Sequence, residues 1–513
     1  MIKALLSFSI AQRWAVLVVT GIVAALGMMA LTRLPIDAVP DITNNQVQIN
    51  TLAPALSTTE VEKQITIPLE TALSGMPGLE STRSLSRNGF SQITAIFDEK
   101  TDIYFARQQV SERLSAARSS LPPNTEPHMG PTSTGLGEIY MWTVRYGDSP
   151  KAESGHIGSQ SDGSYITPEG QRLITAVERE AYLRTVQDWI VRPKIKSVPG
   201  VAGIDAIGGY TKQYQVQPDT ARLASYGISF ADIAKALEEN NVSRGARYIE
   251  RNGEGIAVRS TGRIQTLEDL ANVVVTTRGG RPIRIADIAT TAIGGETRTG
   301  SASVNGHDAV IGTALMLIGG NSRTVAAAVD ARLSELSRLL PPGIEIKPLL
   351  NRTQLVDATI HTVAKNLLEG AILVIIVLLV LLGNLRAALV AAVVIPVAML
   401  MTAIGMVQGR ISANLMSLGA LDFGLIVDGA VIITENCLRH LAERQQRTGR
   451  LLTQAERLQT VRDAAGEMIR PSVYGQAIII LVYVPLLSFT GVEGKTFVPM
   501  ALTVILALAS AFV

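Results

Sequence analysis

Apolar residues come in six long runs along this chain, and their spacing divides it into two kinds of territory. Residues 14–32 form 19 consecutive positions without a charge, long enough as a helix to cross roughly 30 Å of hydrocarbon. Five further runs follow close together much later, at 366–382, 387–407, 415–435, 472–489 and from 497 onward. The connections at Gly383-Asn384-Leu385-Arg386 and around Gln408-Gly409-Arg410 are short, which makes successive helices antiparallel neighbours in a bundle. Lys3 and Arg13 precede the first run, as in a secretory signal. The run is too long for a signal core and no small-residue cleavage site follows, so it predicts a retained helix with a cytoplasmic amino terminus.

The stretch 33–360 between these territories is polar and shows other periods. Residues 45–51 (NQVQINT) alternate as a strand, and 58–73 read as a helix capped by Ser57 or Thr58. Strands follow near 80–86 and 90–98, turning at Arg87-Asn88-Gly89. A helix over 103–120 ends at Pro122-Pro123, and a strand over 138–146 completes a βαββαβ order, the ferredoxin-like split unit. The Gly/Ser-rich stretch 148–172 predicts a mobile insertion. A helix over 171–196 leads to strands at 201–207 and 213–217, and a hairpin is centred on Asn252-Gly253-Glu254-Gly255. A last helix, 322–340, stops at Pro341-Pro342-Gly343 before a strand that leads into the second membrane helix. The predicted fold is an α-helical membrane bundle of six helices plus an α+β outer region, two ferredoxin-like units with a smaller insertion between them. The chain stops at Phe512-Val513 inside an apolar run, which predicts a fragment with a truncated sixth helix.

Composition agrees with a membrane protein: of 513 residues, 47% are hydrophobic and 18% charged, with a mean hydropathy of +0.27. A net charge of +2 carries no basic excess that would argue for nucleic acid. The single cysteine, Cys437, excludes an internal disulfide framework and any multi-cysteine metal site. Charge does fix orientation. The connection 437–470 carries Arg439, Arg444, Arg447, Arg450, Arg457, Arg462 and Arg470, an excess expected on the cytoplasmic side. Counting helices from a cytoplasmic amino terminus gives the same answer, so 33–360 lies outside, in the periplasm of a Gram-negative host.

The candidate chemistry sits in the fourth apolar run, LDFGLIVDGAVIITEN, with Asp422, Asp428 and Glu435. A charged side chain at the bilayer centre costs roughly 2.5–3.5 kcal/mol on insertion scales, so such carboxylates need partners and mark function by default. At about 100° per residue, Asp428 and Glu435 fall within ~20° of each other and Asp422 lies about 120° round. Asp422 and Asp428 fall in the hydrocarbon, Glu435 near the cytoplasmic interface, where a residue among headgroups is the competing reading. Burial raises a carboxyl pKa towards the exchangeable range and a nearby cation lowers it, which suits a proton relay. The bland alternative is a polar pair that locks helix packing. Gly424, Gly429 and Ala430 permit close approach of a neighbouring helix.

These residues also resemble a known family. The segment 422–436 is similar to the fourth-helix signature of heavy-metal efflux pumps of the resistance-nodulation-division superfamily. The resemblance continues through LPIDAVPDITNNQVQI (34–49), ALMLIGGNSRTVAAAVDARL (314–333), LNRTQLVDATI (350–360) and SANLMSLGALDFG (412–424). Drug-exporting relatives typically have adjacent aspartates here, and monovalent copper/silver pumps lack the DFG aspartate. The two-aspartate form resembles the Czc-type cobalt/zinc/cadmium and nickel/cobalt branch. The resemblance implies export of a divalent metal as substrate, with the proton as coupling ion and no cofactor. It implies a homotrimer in the inner membrane, a periplasmic adaptor, an outer-membrane channel and two similar halves per protomer, of which this chain would be the amino-terminal one. Partners of the fourth-helix carboxylates would belong to the other half.

On that reading 1–33 is the first membrane helix, 34–135 a first porter unit, 136–185 with 273–350 a second, 186–272 a docking unit, and 351–513 membrane helices two to six. Glu138 in GLGEIYMW matches a porter-unit glutamate ligand of a similar divalent-metal pump, against the plainer reading of a strand-edge glutamate. His128 in EPHMGP, and His156 with Asp162, are weaker candidates better read as surface residues. Zinc and cobalt favour nitrogen and oxygen ligands, and the scattered Met76, Met129 and Met141 form no thioether cluster in the sequence. No Walker A sequence points to ATP. A potential of ~150 mV supplies about 3.5 kcal/mol per charge and one pH unit about 1.4 kcal/mol. One proton thus sustains on the order of a thousandfold gradient before the metal's own charge raises the requirement. Two other classes remain open: an organic-compound pump of the same superfamily, and a membrane-anchored binding or assembly protein. No nucleophile–base pair argues for an enzyme.

Overall fold

A computed structural model describes residues 8–37, 39–147, 155–251, 253–260, 262–298, 300–421 and 423–513. Among the described residues six helices are long and apolar enough to cross a membrane. The first, α1 (Arg13–Arg33), has an apolar surface all round and leads through an extended stretch to the α+β region.

There β1 (Asn45–Leu52) is followed by a helix over 58–73 (α2), β2 (Leu79–Arg87), β3 (Phe90–Phe97), α3 (Ile103–Ala117) and β4 (Glu126–Met129). The sheet order is β2-β3-β1-β4, all antiparallel, the order of a split βαβ unit. Ser57 and Glu60 cap α2 reciprocally, and Asp102 Oδ1 accepts from the amides of Tyr104 and Phe105 to start α3. The expected closing strand at 138–146 is therefore corrected. Glu126–Met129 closes the first sheet, a short polar edge segment whose Pro127 and preceding prolines disguise it.

Glu138–Tyr146 (β5) instead opens a second sheet. After it come the short strands β6 (Gly158–Ser159), β7 (Tyr165–Ile166) and β8 (Arg172–Leu173), then a helix over 176–196 (α4) and β9 (Val201–Ile207). The expectation of a mobile insertion at 148–172 fails for its described part: β6, β7 and β8 pair as a small sheet, and Tyr165 is 1% exposed in the core beside Tyr146 and Tyr182. Glycine and serine there make tight turns rather than slack chain. An inserted unit follows: β10 (Lys212–Pro218), α5 (Thr220–Tyr226), α6 (Phe230–Asn240), β11 (Arg244–Arg251), β12 (Glu254–Ser260), α7 (Leu267–Ala271), β13 (Val274–Arg278), β14 (Arg281–Arg284), α8 (Ile285–Ile288) and β15 (Ala289–Gly295). β10 pairs with β15, and β11 with β12 in the expected hairpin.

The chain returns through β16 (Ser303–Val304), β17 (His307–Asp308), β18 (Val310–Met316), α9 (Ser322–Leu336) and β19 (Ile344–Asn351). The second sheet has the order β19-β5-β18-β9, the same topology as the first. By strand pairing, Val201–Ile207 belongs to this sheet and Val274–Gly295 to the inserted unit, so the insertion lies inside 208–302 rather than 186–272.

β19 runs straight into α10 (Arg352–Leu382), with Asn351 Oδ1 accepting from the amide of Thr353 at 3.0 Å. α11 (Leu385–Gln408) and the short α12 (Leu415–Gly419) lead to α13 (Phe423–Thr448), α14 (Gln454–Tyr483) and α15 (Gly491–Phe512). The long connection expected at 437–470 is mostly helix: α13 and α14 continue beyond their apolar parts and turn only at 449–453, where Thr453 and Glu456 cap α14. Alternating Arg and Glu make this amphipathic stretch good helix, which the charge count alone conceals.

The bundle and the α+β region are tied by Arg323 to Asp357 (2.7 Å) and Lys495 to Glu99 (3.6 Å), and Ser322 Oγ donates to Asp37 in the stretch that follows α1.

Candidate functional site

α13 is amphipathic within the bundle. Phe423, Ile426 and Val427 are buried against Leu378, Ala388, Ala391, Ile395, Ala398 and Ala507 of α10, α11 and α15. Asp428 and Glu435 point the other way, seven residues apart along one line, both exposed and without a hydrogen bond or ion pair to any described residue. The structure therefore puts two of the three predicted carboxylates on one open face of an apolar helix. Asp422 lies outside the described residues.

A second polar line, a quarter-turn away, faces α14. Gly429 lets the helices close up: a Cβ there would sit 3.4 Å from Gln476 Nε2. Gln476 and Ser472, one turn apart on α14, are each 8% exposed, and Gln476 Oε1 and Ser472 Oγ have no hydrogen-bond partner among the described residues. Further along, Asn436, 6% exposed, donates Nδ2 to Ala464 O (2.9 Å) and to Glu467 Oε2 (3.3 Å), and accepts from Arg439 (2.7 Å). His440 Nε2 lies 3.2 Å from Glu467 Oε2, and Arg444 donates to Thr460 (2.8 Å). Leaving a buried polar atom unpaired costs about 1–3 kcal/mol, so this line is expensive unless it has work to do. Sequence reading passed over it, because a lone Gln in SVYGQAIIILVYV looks tolerated. The signal was the polar pair Ser472/Gln476 at helical spacing inside an apolar run.

The outer candidates do not assemble. Glu138 opens β5, exposed, opposite Leu315. His128 is exposed on edge strand β4, its Nε2 3.9 Å from Glu126. Asp162 is committed to its own turn: the Ser164 hydroxyl and amide, then Arg172 at 2.5 Å, hold its carboxyl down at about 2. His156 is exposed and meets this turn through its backbone oxygen, which accepts from Gln160. Among the described residues no three His, Cys, Asp or Glu side chains converge as a metal site.

With this geometry in hand, comparison with known proteins is decisive. The sequence profile of the AcrB/AcrD/AcrF family matches residues 5–513. The chain belongs to this family. It is 57% identical over its whole length to the nickel and cobalt resistance protein CnrA of Cupriavidus metallidurans, covering 48% of that protein. It is 52% identical to the cobalt-zinc-cadmium resistance protein CzcA of the same organism, covering 46%, and 34% identical to the cation efflux system protein CusA of Escherichia coli, covering 47%. A crystal structure of a heavy metal efflux pump superposes with a TM-score of 0.83 at 34% identity, over 99% of this chain and 47% of that one. The chain spans about half the length of these relatives. As a member of this family it is similar to efflux proteins of the resistance-nodulation-division type, heavy-metal resistance proteins among them.

Proposed function

We propose that this chain forms part of a proton-coupled antiporter that exports divalent heavy-metal cations, nickel, cobalt, zinc or cadmium, as the inner-membrane component of a tripartite system. The observation that carries the reading is Asp428 and Glu435 aligned on one face of an apolar helix, in a chain 57% identical to a nickel and cobalt resistance protein. Each carboxylate costs roughly 2.5–3.5 kcal/mol in the bilayer, and a group that must be neutralised on one side and ionised on the other is what proton coupling uses. Asp428 and Asp422 are the proton carriers, and Glu435 is the group nearest the cytoplasm.

The two split βαβ units act as porter subdomains, the inserted unit as the docking surface for an outer-membrane channel, and a periplasmic adaptor surrounds a homotrimer. Glu138, at an exposed strand start, is the metal contact offered by the outer region. β19 running unbroken into α10 is the mechanical link: protonation shifts helix packing, and the sheet follows as a lever.

The test is Asp428→Asn in the full-length protein, scored by nickel, cobalt and zinc tolerance of a metal-sensitive host at matched expression and trimer content. Tolerance should fall to that of the empty host. Unchanged tolerance removes Asp428 from the coupling, and protection against a dye or detergent in place of metals would shift the assignment to organic compounds.

A further inference from the structure

The polar line between α13 and α14 has properties that packing alone does not require. Polar groups that merely lock two membrane helices satisfy one another, because the bilayer offers no alternative partner. Here Gln476 Oε1 and Ser472 Oγ are enclosed and unpaired among the described residues. Gln476 lies beside Gly429, the neighbour of Asp428 and the residue that allows the amide so close, and Ser472 follows one turn away along α14. Enclosed polar groups of this kind are the usual partners of internal water. Further along the same seam the pattern reverses. Asn436 and His440 both hydrogen-bond to Glu467 Oε2, and the Glu467 and His440 side chains are 54% and 36% exposed at the solvent end. The seam thus runs from the level of the intramembrane carboxylates to water, a quarter-turn from the face on which Asp428 and Glu435 lie. Arg439 and Arg444 are the cations that flank it, held by Asn436 and Thr460.

Resting on the proton-coupled reading above, we propose that this seam is the cytoplasmic proton exit: Gln476 and Ser472 hold the water that receives the proton from the carboxylate, and the Glu467–His440 pair releases it. The step is proton transfer alone. The carboxyl O–H bond breaks, water carries the proton as hydronium, and the proton passes to Glu467 or His440 and on to bulk water. The carboxylate is left ionised and the pair in its starting state. Gln476 itself is a positioning residue: its amide orients water and carries no proton.

The test uses full-length protein reconstituted in proteoliposomes with a pH-sensitive dye inside, following zinc-stimulated proton flux. Gln476→Leu, close in volume, should lower flux tenfold or more, while zinc binding in detergent and the melting temperature stay unchanged. Gln476→Glu should restore at least half of the flux, since it again orders water. Glu467→Gln should move the midpoint of the flux–pH profile on the cytoplasmic side, which a packing role would not do. Ser472→Ala, which adds no bulk, is the second probe, with a loss of about threefold expected. If all four variants run within twofold of the unmodified protein while Asp428→Asn stops flux, the proton leaves elsewhere and the seam is packing. Absence of proton flux stimulated by any of zinc, cobalt, nickel and cadmium in the unmodified protein would overturn the proton-coupled reading and the exit with it. Flux blocked by Gln476→Leu yet indifferent to Asp428→Asn would keep the exit and remove that aspartate as its source.

Discussion

Trp142 shows how much of the second outer unit hangs on one side chain. It is fully buried, its Nε1 donates to Gln187 Oε1 at 2.8 Å, and Gly312 on the neighbouring strand leaves room for its ring. A Cβ at Gly312 would stand 2.4 Å from the indole, so glycine there serves a close approach. Trp142→Phe removes the donor, strands the Gln187 oxygen and opens a void, which should cost about 2–4 kcal/mol in chemical unfolding of the outer region. Adding Gln187→Leu should recover part of that loss. A single-variant change below about 0.5 kcal/mol would show that the pair is not a stability determinant. The strand that carries Trp142 is legible in the sequence as an apolar run over 138–146. The role of Gln187, 45 residues on, is not, because a glutamine in a helix carries no mark of burial.

At the level of elements, the six apolar helices were legible because length and lack of charge alone specify a membrane span. What sequence could not rank was which segment pairs with which. EPHM outcompetes β5 as the closing strand of the first sheet because β5 is needed to pair with β18 and β19 in the second. Helix contact is likewise set by single small residues. Gly27 of α1 packs so tightly on α11 that a Cβ would lie 2.5 Å from Leu400 Cβ. Gly27→Leu should force the two helices apart and lower the melting temperature of the detergent-purified chain by several degrees, whereas Gly21→Leu, with open space around it, should leave it unchanged. Equal melting of both variants would contradict this packing.

The small sheet β6–β8 offers a pH test with a defined sign. Asp162 has its carboxyl lowered to about 2 by Ser164 and then Arg172, from an ordinary value of 3.8. A lowered folded-state value stabilises the turn fully above pH about 4 and loses that contribution as pH falls towards about 2. Amide exchange over 158–173, corrected for intrinsic rates, should therefore be flat from pH 7 to 5 and accelerate below 4. In Asp162→Asn the acid-dependent step should disappear. Loosening already between pH 7 and 5 would mean that other groups govern this sheet.

For the molecule as a whole, the decisive fact is a mismatch between the packing of α13 and its chemistry. The helix buries its apolar side and leaves Asp428 and Glu435 open, with Ile432 between them at 37% exposure. Two ionised carboxylates at roughly 2.5–3.5 kcal/mol each amount to a large share of the ~5–15 kcal/mol by which a domain is stable. Such a face cannot stay against lipid in a working protein. Either the carboxylates are neutralised there, or further polypeptide covers them, and relatives about twice as long as this chain have the polypeptide to do so. A nitroxide at Ile432→Cys, in a Cys437→Ser background that removes the native thiol, distinguishes the two. In the 513-residue chain in lipid, the label should be mobile and highly accessible to oxygen. In the full-length protein, mobility and oxygen accessibility should both fall sharply. Equal accessibility in the two would leave the carboxylate line facing lipid, and the proton relay would then have to operate on carboxyls that stay neutral through most of the cycle.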